Sequence, residues 1–232
     1  MHVVDLRGVI SVAGGSLLDG LCRDNASLGG RMEERLDKLN EMKKSFQQNH
    51  KTQHTMPDLR LQDLKVDGWA MMGGKLVKAA NSRALVPWLV DLVERYYNGH
   101  GAYASSVRKV FKNLHRVEEL FYSCGTFMGT AEVEELEACI RTIGRQWMVL
   151  REQSRRRRRN AWQVRPKLHY FMHLGSQARL INPRAVQVYQ QESLVGRVAK
   201  IWRMCAQGVY APNVQQYTLG RYWTALELTM TM

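Results

Sequence analysis

The stretch "AEVEELEACIRTIGRQWMVLREQSRRRRR", Ala131 to Arg159, decides the fold class. Within it Val133, Leu136, Ile140, Ile143, Trp147 and Leu150 recur at alternating three- and four-residue spacings, the pattern of one buried helical stripe. Glu132, Glu134, Glu135 and Glu137 crowd its start and arginines its end, the charge order that a helix macrodipole favours. Thr130 is the expected N-cap. Upstream, Val107, Val110, Phe111, Leu114, Val117 and Phe121 repeat the same spacing. The two stripes predict an antiparallel helical bundle over Leu76 to Arg151 that buries Trp88, Leu92, Phe111, Leu114, Leu136, Ile140 and Trp147.

Working outward, Leu76, Ala80, Ala84, Trp88, Leu92 and Tyr96 share a helical period, and Pro87 is expected to kink or split that helix because it removes a backbone donor. Residues 49–74 show poor patterning and read as a connecting region with Trp69 as an anchor. Met32, Leu36, Leu39, Lys43 and Phe46 mark an amphipathic helix with one polar exception, Lys43. Asn25 to Gly30 reads as a turn, and a short helix runs through Leu17, Leu18 and Leu21. Val3 and Val4 before Asp5 suit a buried strand. On the other side, Lys167 to Leu180 reads as a helix, "NPRAVQVYQQ" as a loop or extended stretch, Ser193 to Arg203 as a helix, and Asn213 to Leu228 as a last one. The fold class is therefore mainly α, a helical bundle with one short N-terminal strand.

Thirty-four Lys and Arg against 21 Asp and Glu give a formal charge of +13 over 232 residues, which favours an anionic partner. At 45% hydrophobic content the chain can build a core, so disorder throughout is excluded. No apolar run approaches the roughly 20 residues that a membrane span needs. Cys22, Cys124, Cys139 and Cys205 are scattered, with no Cys-x-x-Cys pair and no secretory signal ahead of them, so they read as reduced, intracellular and mostly buried.

The arginine run, Arg155, Arg156, Arg157, Arg158 and Arg159, is the strongest functional signal, because guanidinium groups bind phosphate bidentately and keep their charge. Arg151 and Arg165 extend it, and Trp162 offers an indole for stacking on an unpaired base. DNA or RNA is the expected partner, contacted without base preference. The competing reading is a solvated helix end that acts as a nuclear-import signal or adds solubility. His169 and His173 sit four apart on one helix face, the spacing of zinc-binding helices, but with no third ligand nearby. Apolar neighbours favour buried structural histidines over ligands. Asp5 sits where a strand end would hold a catalytic carboxylate, or is a solvated acid. Glu192 precedes a helix carrying Arg197, Lys200 and Arg203, and either holds a metal beside this basic strip or answers the helix dipole.

Taken together, "MHVVDLRGV", the long helical middle, "RPKLHYFMHL" and "YQQESLVGRVAKI" resemble the distal half of cut-and-paste transposases with an RNase H-like core, of the CACTA and the Kyakuja, Dileera and Zisupton types. The resemblance implies that Asp5 is the second metal-binding aspartate and Glu192 the last carboxylate, together holding Mg²⁺ or Mn²⁺ if the site is retained. It places His169 and His173 in the helix that buttresses Glu192. It implies three parts: a partial RNase H-like α/β core in 1–30, an all-α insertion in 31–160 and an acid-bearing helical segment in 161–232. Arg7 departs from the family's Gly, and Gln191 from its aromatic. The first core aspartate would precede residue 1, so the expected product is a catalytically incomplete, nuclear, transposase-derived nucleic-acid-binding protein. The alternative is a basic α-helical binding or scaffold protein in which Asp5 and Glu192 share no role.

Overall fold

A computed structural model describes residues 8–50, 57–73 and 79–185, with side chains excepted at 79–84. The expected strand at Val3–Leu6 and the expected helices at Ser193–Arg203 and Asn213–Leu228 lie outside the described residues. The chain divides into two compact units, Met1–Ala185 and Val186–Met232, and the described residues all belong to the first. Its elements are α1 (Val9–Asp24), a 3₁₀ turn (Ala26–Leu28), α2 (Met32–Asn49), a second 3₁₀ turn (Leu61–Leu64), β1 (Lys65–Val66), β2 (Trp69–Ala70), α3 (Ala79–Tyr96), α4 (Ala102–Ser123), α5 (Thr130–Arg156) and α6 (Pro166–Ala178). The fold is mainly α, with a single two-stranded sheet among the described residues.

Helices α4 and α5 form a hairpin, with α3 packed on α4 and α6 on α5. Every residue of the anticipated stripe is buried: Trp88, Leu92 and Leu136 are 0% exposed, and Phe111, Leu114, Ile140 and Trp147 are at most 1% exposed. Across the solvent side of the hairpin, Arg116 donates to both carboxylate oxygens of Glu135, at 2.6 and 2.9 Å. Of the kink or split expected at Pro87, the split does not occur: helix α3 runs through Pro87 as one helix, so packing of its buried face outweighs the donor missing opposite the carbonyl of Arg83. One local expectation is corrected. The N-cap of α5 is Gly129, and Thr130 is the first helical residue. Glu132 supplies the cap instead, its carboxylate accepting the Gly129 N–H at 2.5 Å.

α1 is longer than the sequence pattern suggested and is buried on nearly all sides, from Val9 to Cys22. Its glycines allow a backbone to lie directly on it: a Cβ at Gly15 would sit 2.3 Å from the Cα of Met71. The segment after β2 crosses there as a strap. Met72 N–H donates to the Ser11 carbonyl (2.9 Å), and the Ser11 hydroxyl donates to the Met72 carbonyl (2.6 Å). The strap begins in a hairpin whose turn, Asp67–Gly68, has both φ values positive (51° and 76°), as a two-residue primed turn requires. This hairpin occupies the region read from sequence as a connection.

At its C-terminal end α1 meets α2 through Arg35, whose guanidinium donates to the carbonyls of Cys22 (3.0 Å), Arg23 (2.7 Å) and Gly29 (2.8 Å). The first two are among the acceptors that a helix end leaves without intrahelical donors. The polar exception on α2, Lys43, is fully buried, and its ammonium donates to Asn40 Oδ1 (3.1 Å), Asp58 Oδ1 (3.3 Å) and the Pro57 carbonyl. Burial lowers the Lys43 pKa, opposed by its bond to Asp58. Among the described residues one hydrophobic core spans α1 through α6.

Candidate nucleic-acid interface

The arginine run is the end of a helix and the turn that closes it, not a tail. Arg155 and Arg156 are the last residues of α5. Backbone bonds from Arg157 N–H to the Gln153 carbonyl (3.2 Å), Arg158 N–H to the Arg155 carbonyl (2.9 Å) and Arg159 N–H to the Ser154 carbonyl (2.9 Å) close the turn. They satisfy carbonyls that the helix end leaves open, and the macrodipole favours cations at this end. The Asn160 carbonyl then accepts the Ala70 N–H (2.7 Å), fastening the turn to β2.

Trp162 is the anchor. Its side chain is 0% exposed, packed edge-on against Trp147 (centroids 5.2 Å apart, 89°) and Phe111 (6.4 Å, 73°). Its indole N–H donates to Tyr103 Oη (3.2 Å) and its backbone N–H to Ser16 Oγ (2.8 Å). The expectation that this indole stacks on a base is corrected: a large aromatic next to other buried rings gains more from the core than from display.

The guanidinium groups divide into two sets. Arg151 stacks on the Trp69 ring (4.4 Å), Arg165 donates to Met71 Sδ (3.0 Å) and Arg159 forms an ion pair with Asp24. All three hold the turn, hairpin and α1 together. Arg155, Arg156, Arg157 and Arg158 are exposed. Arg155 and Arg156 share Glu152, whose carboxyl pKa their hydrogen bonds pull down to about 2. Arg157 lies over the Tyr103 ring at 4.9 Å. Arg158 has no ion pair among the described residues, and its backbone is left-handed (φ 54°).

Asp5, Glu192, Arg197 and Lys200 lie outside the described residues. α6 begins with Pro166 at its first turn, where a missing N–H costs nothing, and carries His169 and His173. Neither histidine is buried, which corrects the expectation of burial: Leu168, Phe171 and Leu174 form the core face, and the histidines fall outside it. Their Nε2 atoms are 3.1 Å apart. Among the described residues no three His, Cys, Asp or Glu side chains gather as a metal site, and no helix is long and apolar enough to cross a membrane. Cys22 and Cys139 are buried free thiols and Cys124 a half-buried one.

Sequence reasoning missed Arg23, Asp24, Lys65 and Tyr103 as neighbours of the arginine run. Asp67–Gly68 was the available signal for Lys65, since that dipeptide between apolar residues marks a hairpin. No family model, curated protein or solved structure matches the chain.

Proposed function

We propose that the chain is a transposase-derived, nuclear nucleic-acid-binding protein that contacts phosphates, of DNA or RNA, through Arg155, Arg156, Arg157 and Arg158. The carrying observation is that this run is displayed outward on a folded turn fastened by Trp162 and Asn160. A preordered turn loses less conformational entropy on binding than a tail does. The +13 charge supports the partner class. The motif resemblance supports the ancestry, in which Asp5 and Glu192 would hold Mg²⁺ or Mn²⁺ and Arg197 and Lys200 would add phosphate contacts.

Fluorescence anisotropy on labelled duplex across a salt series tests this. With about four phosphates neutralised, log affinity falls with log salt at a slope of roughly −3 to −4. Replacing the four arginines by glutamine flattens the slope and weakens all sequences alike, because phosphate contacts do not read bases. Unchanged binding in that variant defeats the proposal. It would favour the scaffold reading, for which the pairing of Arg155 and Arg156 with Glu152 already speaks.

A further inference from the structure

A polar cavity of about 190 Å³ opens beside the arginine turn, where three elements far apart in sequence meet. α1 contributes Asp19 and Arg23, the β1–β2 hairpin contributes Lys65 and Gly68, and the turn after α5 contributes Arg158 and Arg159. Four cationic side chains and one carboxylate therefore line it. Asp24 neutralises part of that excess from outside the lining, through Arg159. The local balance stays positive.

The four cations differ in how far carboxylates already engage them. Arg23 donates through Nε to both oxygens of Asp19 (3.0 and 2.9 Å), which holds its guanidinium against α1. Arg159 engages Asp24 through both Nη groups, leaving its Nε–H. Lys65 and Arg158 have no ion pair among the described residues. Arg158 stands on the turn with a left-handed backbone (φ 54°). The same ring of charge on Arg155 to Arg157 would have no walls; here the hairpin and α1 supply them.

We propose that this cavity binds a single phosphate group, taken from a nucleic acid either as an internal phosphodiester or as a terminal monoester. The assignment of nucleic acid as its source rests on the function proposed above, whereas the anion site itself rests on the cavity. Lys65 and Arg158 are the ligating cations, and Arg23 and Arg159 are held in place by their carboxylates.

The full chain is first heated in about 20 mM inorganic phosphate and in chloride of equal ionic strength; phosphate at about twentyfold its Kd raises Tm by about 4 °C. Lys65→Gln with Arg158→Gln removes that rise. Both side chains are exposed, so the variant keeps the fold, checked by its circular dichroism, and Lys65→Gln alone serves as the second variant. On a labelled oligonucleotide the double variant loses affinity about a hundredfold, about tenfold for each of the two charged hydrogen-bonding contacts removed. If the loss appears only with a 5′-phosphorylated strand, the ligand is the terminal monoester. If it is equal on a 5′-hydroxyl strand, the ligand is the internal diester. No phosphate-specific rise in Tm, with oligonucleotide binding that still depends on the arginine run, overturns the cavity and leaves the proposed function standing. A rise in Tm that needs Lys65 and Arg158, without any oligonucleotide binding, supports the cavity and removes nucleic acid as its source.

Discussion

The α4–α5 hairpin and the α1 neighbourhood contribute to one core by opposite routes. In the hairpin each helix hides one stripe, Val107 to Phe121 or Val133 to Leu150, and leaves charge on the other face. The segments adjoin in sequence, so their partnership needs only the short turn between Ser123 and Thr130. α1 is buried almost all round, and its partners come from the strap at Met71–Met72, from Arg35 on α2 and from Trp162 beyond α5. A helix buried on every side has no polar face and therefore no period to detect. Self-contained packing is thus legible in a sequence, whereas packing assembled from distant segments is not.

Trp147 and Trp162 touch, one from each region, and they allow the largest test of that difference. Either change to alanine removes a fully buried indole and destabilises by about 3 to 5 kcal/mol, read by chemical denaturation. Only Trp162→Ala also unfastens the arginine turn. Under native conditions trypsin should then cut after Arg155 to Arg158 much faster in Trp162→Ala than in Trp147→Ala. Equal cleavage of the two variants would mean that the turn is held by its own backbone bonds rather than by the anchor.

This contrast explains how far the sequence could be read. The helices at Met32, Val107, Val133 and Pro166 were visible because each has one apolar face, and Lys43 already stood on that face of α2 as its exception. The first half of α1 was not, because Gly14 and Gly15 lower helix propensity locally and only the strap explains them. Of the candidate site, Arg155 to Arg158 were legible as charge. The core role of Trp162 and the outward placing of the histidines were not, because which side of a short apolar helix faces the core is decided by its partners. The cavity's Arg23 lay out of reach for the same reason, an ordinary exposed cation until the chain brings it beside Arg158, whereas Lys65 had only the hairpin signal of Asp67–Gly68.

The next effect tests the strap. Gly15→Ala places a methyl group 2.3 Å from Met71 Cα and 2.5 Å from Met72 N, both backbone atoms, so the crossing must shift. Overpacking of this kind costs about 3 kcal/mol and outweighs the gain of about 1 kcal/mol that alanine brings to a helix interior. A denaturation midpoint at or above that of the wild type would show that the strap does not lie on α1.

Alkaline titration sharpens the comparison through two buried thiols. Burial pushes Cys22 on α1 from 9.0 up to about 11, with the Asp19 carboxylate adding to the rise, whereas burial raises Cys139 on α5 less. In the unfolded chain each thiol ionises near its ordinary value, so above it the unfolded state has released a proton that the folded state keeps. Stability contributed by Cys22 is therefore lost as pH rises from 9.0 towards about 11, because ionisation favours the unfolded chain. A tenfold difference in proton affinity between the two states is worth about 1.4 kcal/mol, so the wild type should lose roughly 2 kcal/mol more than Cys22→Ala over that range. Against Cys139→Ala the difference should be smaller; the reverse order would place the drier thiol in the hairpin.

Gly14→Ala gives the smallest effect and isolates what makes its neighbour special. Its added methyl group meets Met72 Cε at 2.7 Å, Met72 Sδ at 3.0 Å and Leu89 Cδ1 at 3.1 Å, all side-chain atoms. Met72 is fully buried, yet an unbranched thioether can swing by a rotamer without moving the strap's backbone. The residual crowding opposes a helix-propensity gain of about 1 kcal/mol, so the net destabilisation stays below about 1 kcal/mol. Two adjacent glycines in one helix then differ at least about twofold in cost, because one faces a backbone and the other a flexible side chain. If Gly14→Ala instead costs as much as Gly15→Ala in the same denaturation series, Met72 is held as rigidly as the backbone, and the strap locks α1 through side chains as well as through its two hydrogen bonds to Ser11.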